Sequence, residues 1–359
     1  MKDCKQYSSL KIFHHKEILD MIDEGRRVTP LYIRMKPTNL CNHHCAYCSY
    51  GRGKVENQTA VRDSVKNTDM IPWTKMQEII RDFGEMGVKA VTFSGGGEPL
   101  TYPKIIETVQ MMKARKIDLS LITNGHLLSG QIAEHFYDAK WVRVSFDSPN
   151  AAEYAVLRNI SVNSFQTVCN NIQSFAANKA KNCILGINFV ISKANYTRVY
   201  EAAELLKSLG VNNVKFAAVV DNQANYHNKL KDIVIEQIHR AQEKLASDNF
   251  VIVNNYESDW MDKNFTVQEF PKCYTCKLVT VIAADSKVYY CHTRAYDTHA
   301  VLGDLANQSF KTVWFSEEVT KKLANLQPKV DCKNFCVYEE RNKLIQSYFD
   351  VDFNHINFI

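Results

Sequence analysis

The sequence contains no long hydrophobic run and no block of like charge. None of its apolar stretches approaches the roughly 20 residues that a membrane-spanning helix needs. The polar residues 1–10 lack the apolar core of a secretion signal. The net charge of +5 is spread along the chain, so neither a membrane nor nucleic acid is expected as a partner. We therefore expect a cytoplasmic protein.

The sequence also lacks low-complexity tracts and repeats other than possible strand–helix units. Its 359 residues are 45% hydrophobic and 23% charged, as in globular proteins with a large core. This length suits a barrel-sized domain with an appendage. We predict a lead-in helix in residues 1–30, a main domain over 31–255, and a linker with a smaller α+β domain over 256–359.

The cysteines are grouped rather than scattered. There are eleven in a chain without an export signal, which argues against a disulfide framework and favours thiolates that bind metal. Three lie within residues 41–48 and five within 273–336. Only Cys4, Cys169 and Cys183 fall elsewhere, and we expect the last two to be structural core residues. Two groups of soft ligands suggest two metal centres.

The main domain alternates short β-rich runs with amphipathic stretches, which is typical of repeated βα units around a parallel sheet. Strands are predicted at residues 31–36, 89–93, 118–123, 141–146, 184–191 and 214–220. Six such units could close into a partial barrel or open into a doubly wound sheet. The pattern alone does not decide between them.

In either architecture, ligands bind at the carboxyl ends of the strands, and the informative residues fall there. The first cysteine group follows the first strand, and the segment 94–99 (Ser-Gly-Gly-Gly-Glu-Pro) follows the second. Thr123 and Asn124 end the third strand, and Ser145 and Asp147 end the fourth. Polar groups at such positions are costly unless they are solvated or bonded, so we predict one ligand-binding face. The polar segment 51–70 is long for a βα connection and is either a mobile loop or a cover.

Cys41, Cys45 and Cys48 can wrap one inorganic centre and leave a coordination position open. The alternative is structural zinc, with His43 or His44 as the fourth ligand. Adjacent histidines on so short a loop would struggle to complete a tetrahedral site, and zinc sites favour two separated pairs of ligands.

The second group consists of Cys273, Cys276, Cys291, Cys332 and Cys336. Five cysteines exceed the four that close one zinc or [4Fe-4S] site. Zinc remains an alternative here as well.

The spacing of Cys41, Cys45 and Cys48, with Tyr47 before the last cysteine, resembles the signature of radical S-adenosylmethionine (SAM) enzymes. The resemblance implies a partial (β/α)6 TIM-type barrel, and a [4Fe-4S] cluster whose open iron chelates SAM and whose electron cleaves SAM to a 5'-deoxyadenosyl radical. It further implies SAM contacts by Tyr47, by the Gly-Gly-Glu element, and by polar residues after later strands. These matching positions are Gly96, Gly97, Glu98, Asn124, Ser145, Asp147 and Arg158. For Arg158, a charge on a helix surface is an equal alternative.

The distal cysteines resemble the SPASM or shorter twitch extension that holds auxiliary iron–sulfur clusters in radical SAM enzymes. The likeness includes residues 302–305 and a helix around Trp314. It implies one auxiliary [4Fe-4S] cluster, ligated by Cys291, Cys332, Cys336 and either Cys273 or Cys276. One departure is Ser286, where the extension usually carries glycine. The GTP cyclases of molybdopterin synthesis have similar distal cysteines, but this segment lacks their arginine-rich pattern.

The resemblance thus implies a radical SAM oxidoreductase or epimerase that takes its electron from a flavodoxin or ferredoxin. The substrate expected first is a sugar, nucleotide sugar or cyclitol, because residues 1–30 leave no room for a peptide-recognition domain. The first alternative is maturation of a ribosomally made peptide. An alternative from another class is a non-catalytic zinc protein.

Overall fold

The computed structural model describes residues 8–50, 65–219, 225–257, 270–332 and 336–358. Most of the polar segment 51–70 and of the linker 256–272 lies outside these residues, as does Cys4. No helix in the described part of the chain is both long and apolar enough to span a bilayer.

Seven parallel strands follow one another in chain order across the sheet. They are β1 (Tyr32–Met35), β2 (Ala90–Phe93), β3 (Asp118–Thr123), β4 (Trp141–Ser145), β5 (Ile184–Ile191), β6 (Asn213–Ala218) and β7 (Val251–Asn254). A doubly wound sheet would reverse its strand order at a switch point, whereas this order never reverses. The partial barrel is therefore confirmed. It has one strand more than predicted, because β7 was not recognised.

Helices connect these strands, and their apolar faces pack on the sheet. They are α2 (Trp73–Met86), α3 (Ile105–Ala114), α4 (Gly130–Glu134), α5 (Ala151–Arg158), α6 (Asn163–Asn178), α7 (Val199–Ser208) and α8 (Asn225–Leu245). In α2, Met76, Ile79, Ile80 and Phe83 recur at three- and four-residue spacing and are fully buried. That helix ends at Gly87, whose φ of 78° lies in the left-handed region that suits glycine.

The cysteine-rich segment extends the same sheet beyond β1. Strand β8 (Val279–Ile282) pairs with β1 in parallel, and β9 (Lys287–Tyr289) and β10 (Val301–Asp304) add antiparallel strands. The turn between β8 and β9 contains Ser286 with φ of 60°, in the left-handed region that suits glycine better than serine.

The two ends of the described chain pack together. The lead-in consists of a 3₁₀ turn (Ser9–His15) and α1 (Lys16–Asp23). Leu19 and Ile22 share an apolar cluster with Ile345 of the last α-helix. The C-terminal helices are α9 (Thr275–Leu278), α10 (Phe310–Trp314), α11 (Glu317–Ala324), α12 (Pro328–Asp331) and α13 (Glu339–Phe349).

Candidate functional site

The cysteine loop after β1 is fastened to the end of α5. The amides of His44 and Ala46 donate to the carbonyls of Arg158 and Leu157, at 3.0 and 3.1 Å. These carbonyls belong to the last helical turn, which has no intrahelical donors for them. Within the loop, the Cys48 amide donates to the Cys45 carbonyl at 3.1 Å. The helix end therefore fixes the conformation in which the three cysteines are presented.

The glycine loop lies against the backbone that leads into the cysteine loop. The Gly97 amide donates to the Thr38 carbonyl at 3.0 Å. A Cβ atom on Gly97 would lie 2.0 Å from the Leu40 carbonyl oxygen, and one on Gly96 would lie 2.1 Å from Asn39 Oδ1. Both positions therefore require glycine, because a side chain would collide with these atoms. The end of β2 is held against the end of β1 at this point.

Glu98 is buried, and its carboxylate is hydrogen-bonded to other groups of the chain. Its carboxylate accepts hydrogen bonds from Thr123 Oγ1 and the Asn124 amide, both at 2.7 Å, and from the Leu100 amide at 3.1 Å. Burial raises the pKa of this carboxyl, and these three donors oppose the rise. Glu98 therefore connects the ends of β2 and β3.

Asn124 continues this connection to the cysteine loop. Its side-chain amide donates to Asn42 Oδ1 at 2.7 Å, and its own Oδ1 accepts from the His126 amide at 3.0 Å. Asn42 directly follows Cys41. The sequence-predicted Glu98, Asn124 and cysteine loop are thus brought together by the fold.

Asp147 and Arg158 form a buried ion pair at the same face, with 0% and 3% of their side chains exposed. Tyr47 donates its hydroxyl to the same Asp147 oxygen. The other Asp147 oxygen accepts from the Val190 amide at 3.0 Å. Arg158 also lies 3.7 Å from Cys45 Sγ. The alternative of a helix-surface charge for Arg158 is wrong, because α5 turns this residue inward.

Three further residues that the sequence singled out differ in their exposure. Ser145 lies two residues before Asp147 on the same face of the β4 segment, and is partly exposed. His43 is buried and His44 is exposed. Burial lowers the pKa of His43 to about 3, with help from the positive charge of Arg158.

Cys276 differs from the other four distal cysteines in its burial. Burial raises the pKa of Cys332 to about 12, and the nearby thiolates of Cys291, Cys273 and Cys336 raise it further. Burial likewise raises the pKa of Cys336 to about 12, with Cys291 and Cys273 as neighbouring charges. These four side chains are partly exposed. Cys276 is buried and its thiol donates to the Cys273 carbonyl at 2.9 Å.

Sequence reasoning missed Lys36, which directly follows β1. It is fully buried, and its ammonium donates to the Gly95 carbonyl at 2.5 Å and lies 4.0 Å from the ring centre of Tyr50. The signal was available in the alternation of the first strand, where Tyr32, Arg34 and Lys36 occupy every second position.

Both cysteine groups offer the soft thiolate ligands that iron–sulfur clusters require. Among the residues that the structure describes, no three His, Cys, Asp or Glu side chains are close enough to hold one metal ion. A [4Fe-4S] cluster does not need such convergence, because it binds its thiolates through separate iron atoms. The donor sets at both places therefore fit a cluster.

Two family models match the chain. The radical SAM superfamily matches residues 35–191, and the SPASM iron-sulfur cluster-binding domain matches residues 263–337. The chain is 25% identical over 188 residues to PqqA peptide cyclase of Gluconobacter oxydans, which covers 52% of this chain and 49% of that protein. It is 28% identical over 232 residues to a probable GTP 3',8-cyclase of Methanocaldococcus jannaschii, covering 63% of this chain and 72% of that protein. The chain thus spans about half the length of the first of these relatives.

Solved structures share the fold at lower sequence identity. Streptococcus suis SuiB bound to SAM superposes with a TM-score of 0.62 at 15% identity, covering 87% of this chain and 71% of that one. At this identity the likeness shows the fold alone.

The matched families account for both cysteine groups. The radical SAM domain binds a [4Fe-4S] cluster and SAM, and the SPASM domain binds auxiliary iron–sulfur clusters. The first match contains Cys41, Cys45 and Cys48, and the second contains all five distal cysteines. The chain belongs to the radical SAM superfamily and carries a SPASM iron–sulfur cluster-binding domain.

Proposed function

We propose that this protein is a radical SAM enzyme that modifies a ribosomally made peptide. One relative is named PqqA peptide cyclase, and SuiB has also been solved with its precursor peptide SuiA. These names favour a peptide over the sugar, nucleotide sugar or cyclitol that the sequence led us to expect first. The oxidoreductase or epimerase type expected from the sequence is not part of this proposal.

The observation that carries the radical chemistry in this proposal is the attachment of the cysteine loop to α5, which places Cys45 beside Arg158. In this proposal, Cys41, Cys45 and Cys48 hold the first cluster. Burial raises the pKa of the Cys45 thiol, and the adjacent Arg158 guanidinium opposes the rise and so favours the thiolate that binds iron. When bound, the cluster and SAM supply a 5'-deoxyadenosyl radical that abstracts a hydrogen atom from the substrate.

The residues around this loop hold it in place and line the proposed SAM site. Gly96 and Gly97 bring the backbone of the second strand end close to the loop, and Glu98 fixes Asn124 beside it. Asp147 keeps Arg158 and Tyr47 in fixed positions. Together with Ser145, these are the residues that we propose to contact SAM.

For the auxiliary cluster, we propose Cys273, Cys291, Cys332 and Cys336 as ligands. In addition to burial, the thiolates of Cys273, Cys291 and Cys336 raise the pKa of Cys332. Cys276 raises the pKa of Cys273, but it differs from the other four in being buried and in donating its thiol to a backbone carbonyl. This cluster would either accept an electron from the substrate or hold the substrate in position. We propose a flavodoxin or ferredoxin as the electron donor, and a division of the chain into a barrel over 31–255 and an auxiliary domain over 256–359.

The test is co-expression of the enzyme with each short peptide encoded beside its gene, followed by mass spectrometry of the peptide. We expect a mass change with the wild type and with Cys183→Ala, a fully buried core cysteine. Cys48→Ala should leave the peptide unmodified. Conversion of GTP or a nucleotide sugar by the purified enzyme, with every such peptide unchanged, would overturn the peptide assignment.

A further inference from the structure

Lys36 faces a tyrosine ring from each of the two segments that carry cysteines. Its ammonium is 4.0 Å from the centre of the Tyr50 ring and 5.6 Å from the centre of the Tyr296 ring. Tyr50 comes two residues after Cys48, and Tyr296 comes five residues after Cys291. The two rings also lie against each other, with their centres 5.9 Å apart. Ring faces attract a cation, so both segments hold the same ammonium.

This lysine is buried without a carboxylate partner. It is 0% exposed, and the hydrogen bond of its side chain runs from Nζ to the Gly95 carbonyl at 2.5 Å. No ion pair in the described part of the chain includes Lys36. A buried ammonium is costly unless an opposite charge lies near it. The charge that compensates Lys36 must therefore come from a group other than a paired carboxylate.

The first cysteine group supplies such a charge. Burial lowers the pKa of Lys36 well below its ordinary value, and the positive charge of Arg34 lowers it further. The Cys48 thiolate opposes this fall more strongly than the Asp285 carboxylate does. Asp285 also accepts a hydrogen bond from the Tyr289 hydroxyl at 2.5 Å. Negative charge at the cysteine loop and positive charge on Lys36 thus stabilise each other.

We propose that the Lys36 ammonium is the counter-charge of the cluster held by Cys41, Cys45 and Cys48, and that it raises the reduction potential of this cluster. One-electron reduction makes a cluster more negative, so a buried cation nearby favours the reduced state. The electron comes from the donor, and no bond forms or breaks in this step. The inference rests on the proposed ligands of the first cluster and does not depend on the substrate. Lys36 is a positioning residue in this role, because it acts through the cluster.

The test measures the midpoint potential of the first cluster in the anaerobically reconstituted full chain, by dithionite titration followed with electron paramagnetic resonance. The titration of Cys48→Ala, which should keep only the auxiliary cluster, identifies the signal of the other. We expect Lys36→Met to lower the equilibrium constant for reduction about tenfold, which is about 59 mV for one electron. The matched control is Lys75→Met, since Lys75 is only 14% exposed but lies on α2 and pairs with Glu78. It should keep the wild-type potential.

A second variant separates the charge of Lys36 from its hydrogen bond. Lys36→Gln removes the charge but keeps an N–H donor for the Gly95 carbonyl. Lower potentials in both Lys36 variants would support the inference. A wild-type potential in Lys36→Gln or in Lys36→Met would overturn it, because the charge would then have no effect. Loss of the first cluster from both variants would also overturn it, since Lys36 would then serve assembly of the site.

The two proposals fail in different ways. The potential is measured without SAM and without a peptide, so an unchanged potential in the Lys36 variants leaves the proposed function standing. Retention of the first cluster by Cys48→Ala would instead contradict the ligands on which the proposed function depends.

Discussion

Arg158 and Asp147 form an ion pair in which both side chains are buried, directly beside Cys45. The pair joins the end of α5 to the end of β4, and the backbone of Arg158 also receives the His44 amide. One residue thus holds both the strand end and the cysteine loop.

Removing either partner of this pair should destabilise the protein strongly, because the other charge would remain buried alone. We expect Arg158→Met and Asp147→Asn each to lower the free energy of unfolding by about 3–5 kcal/mol. Urea denaturation under anaerobic conditions measures this. The control is Lys104→Met, which breaks an exposed pair with Glu107 and should cost at most about 1 kcal/mol. Similar small losses for all three variants would contradict a structural role for the buried pair.

Alanine should be tolerated poorly at Gly97 and well at Gly84. A Cβ on Gly97 would meet the Leu40 backbone at 2.0 Å, so Gly97→Ala must displace the cysteine loop and lower the iron content. At Gly84, within α2, the nearest atom is the flexible Arg115 Cδ at 2.9 Å. We expect Gly84→Ala to stabilise the protein by about 0.5–1 kcal/mol through helix propensity. Iron analysis and urea melts check both, and full iron loading in Gly97→Ala would refute the first.

The two cysteines near α9 should behave differently on substitution. Wild-type protein with two [4Fe-4S] clusters carries about eight irons. Cys273→Ala should retain roughly half of them, whereas Cys276→Ala should retain all of them. Iron and sulfide assays after anaerobic reconstitution measure the difference. The reverse result would show that the ligand set contains Cys276.

Burial of the Lys215 ammonium, on β6, destabilises the folded protein by an amount that should depend on pH. Its pKa in the folded chain is lowered to about 8 from the ordinary 10.5, so the folded state binds fewer protons between these values. The cost is therefore complete below pH 8 and declines as the pH rises toward 10.5. We expect the difference in Tm between Lys215→Met and the wild type to be smaller at pH 9.5 than at pH 7. A difference that is constant with pH would show that this lysine keeps its proton.

The barrel could be predicted because its strands are apolar runs bounded by recognisable helices, and β3 and β5 match the predicted bounds. The four-residue β7 carries too little pattern to be recognised alone. The sequence left Arg158 either on a helix surface or at the SAM site, because the orientation of one charged residue depends on tertiary packing. The choice between Cys273 and Cys276 as a cluster ligand depends on burial, which spacing does not encode.

The basic residues Arg34, Lys36, Arg143 and Lys215 show the same limit, because they come from different strands. Alternation in β1 places Arg34 and Lys36 on one face, but whether that face is solvent or lumen follows only from the sheet order. Arg143 and Lys215 lie on different strands, and only the register through Gly186 and its neighbours relates them.

The central claim is that the loop from Cys41 to Cys48 supports reductive cleavage of SAM. The most direct measurement is 5'-deoxyadenosine formed by the anaerobically reconstituted protein with SAM and dithionite, detected by liquid chromatography and mass spectrometry. We predict product from the wild type and Cys183→Ala, and none from Cys41→Ala, Cys45→Ala or Cys48→Ala. Undiminished product from any of these three variants would contradict the account.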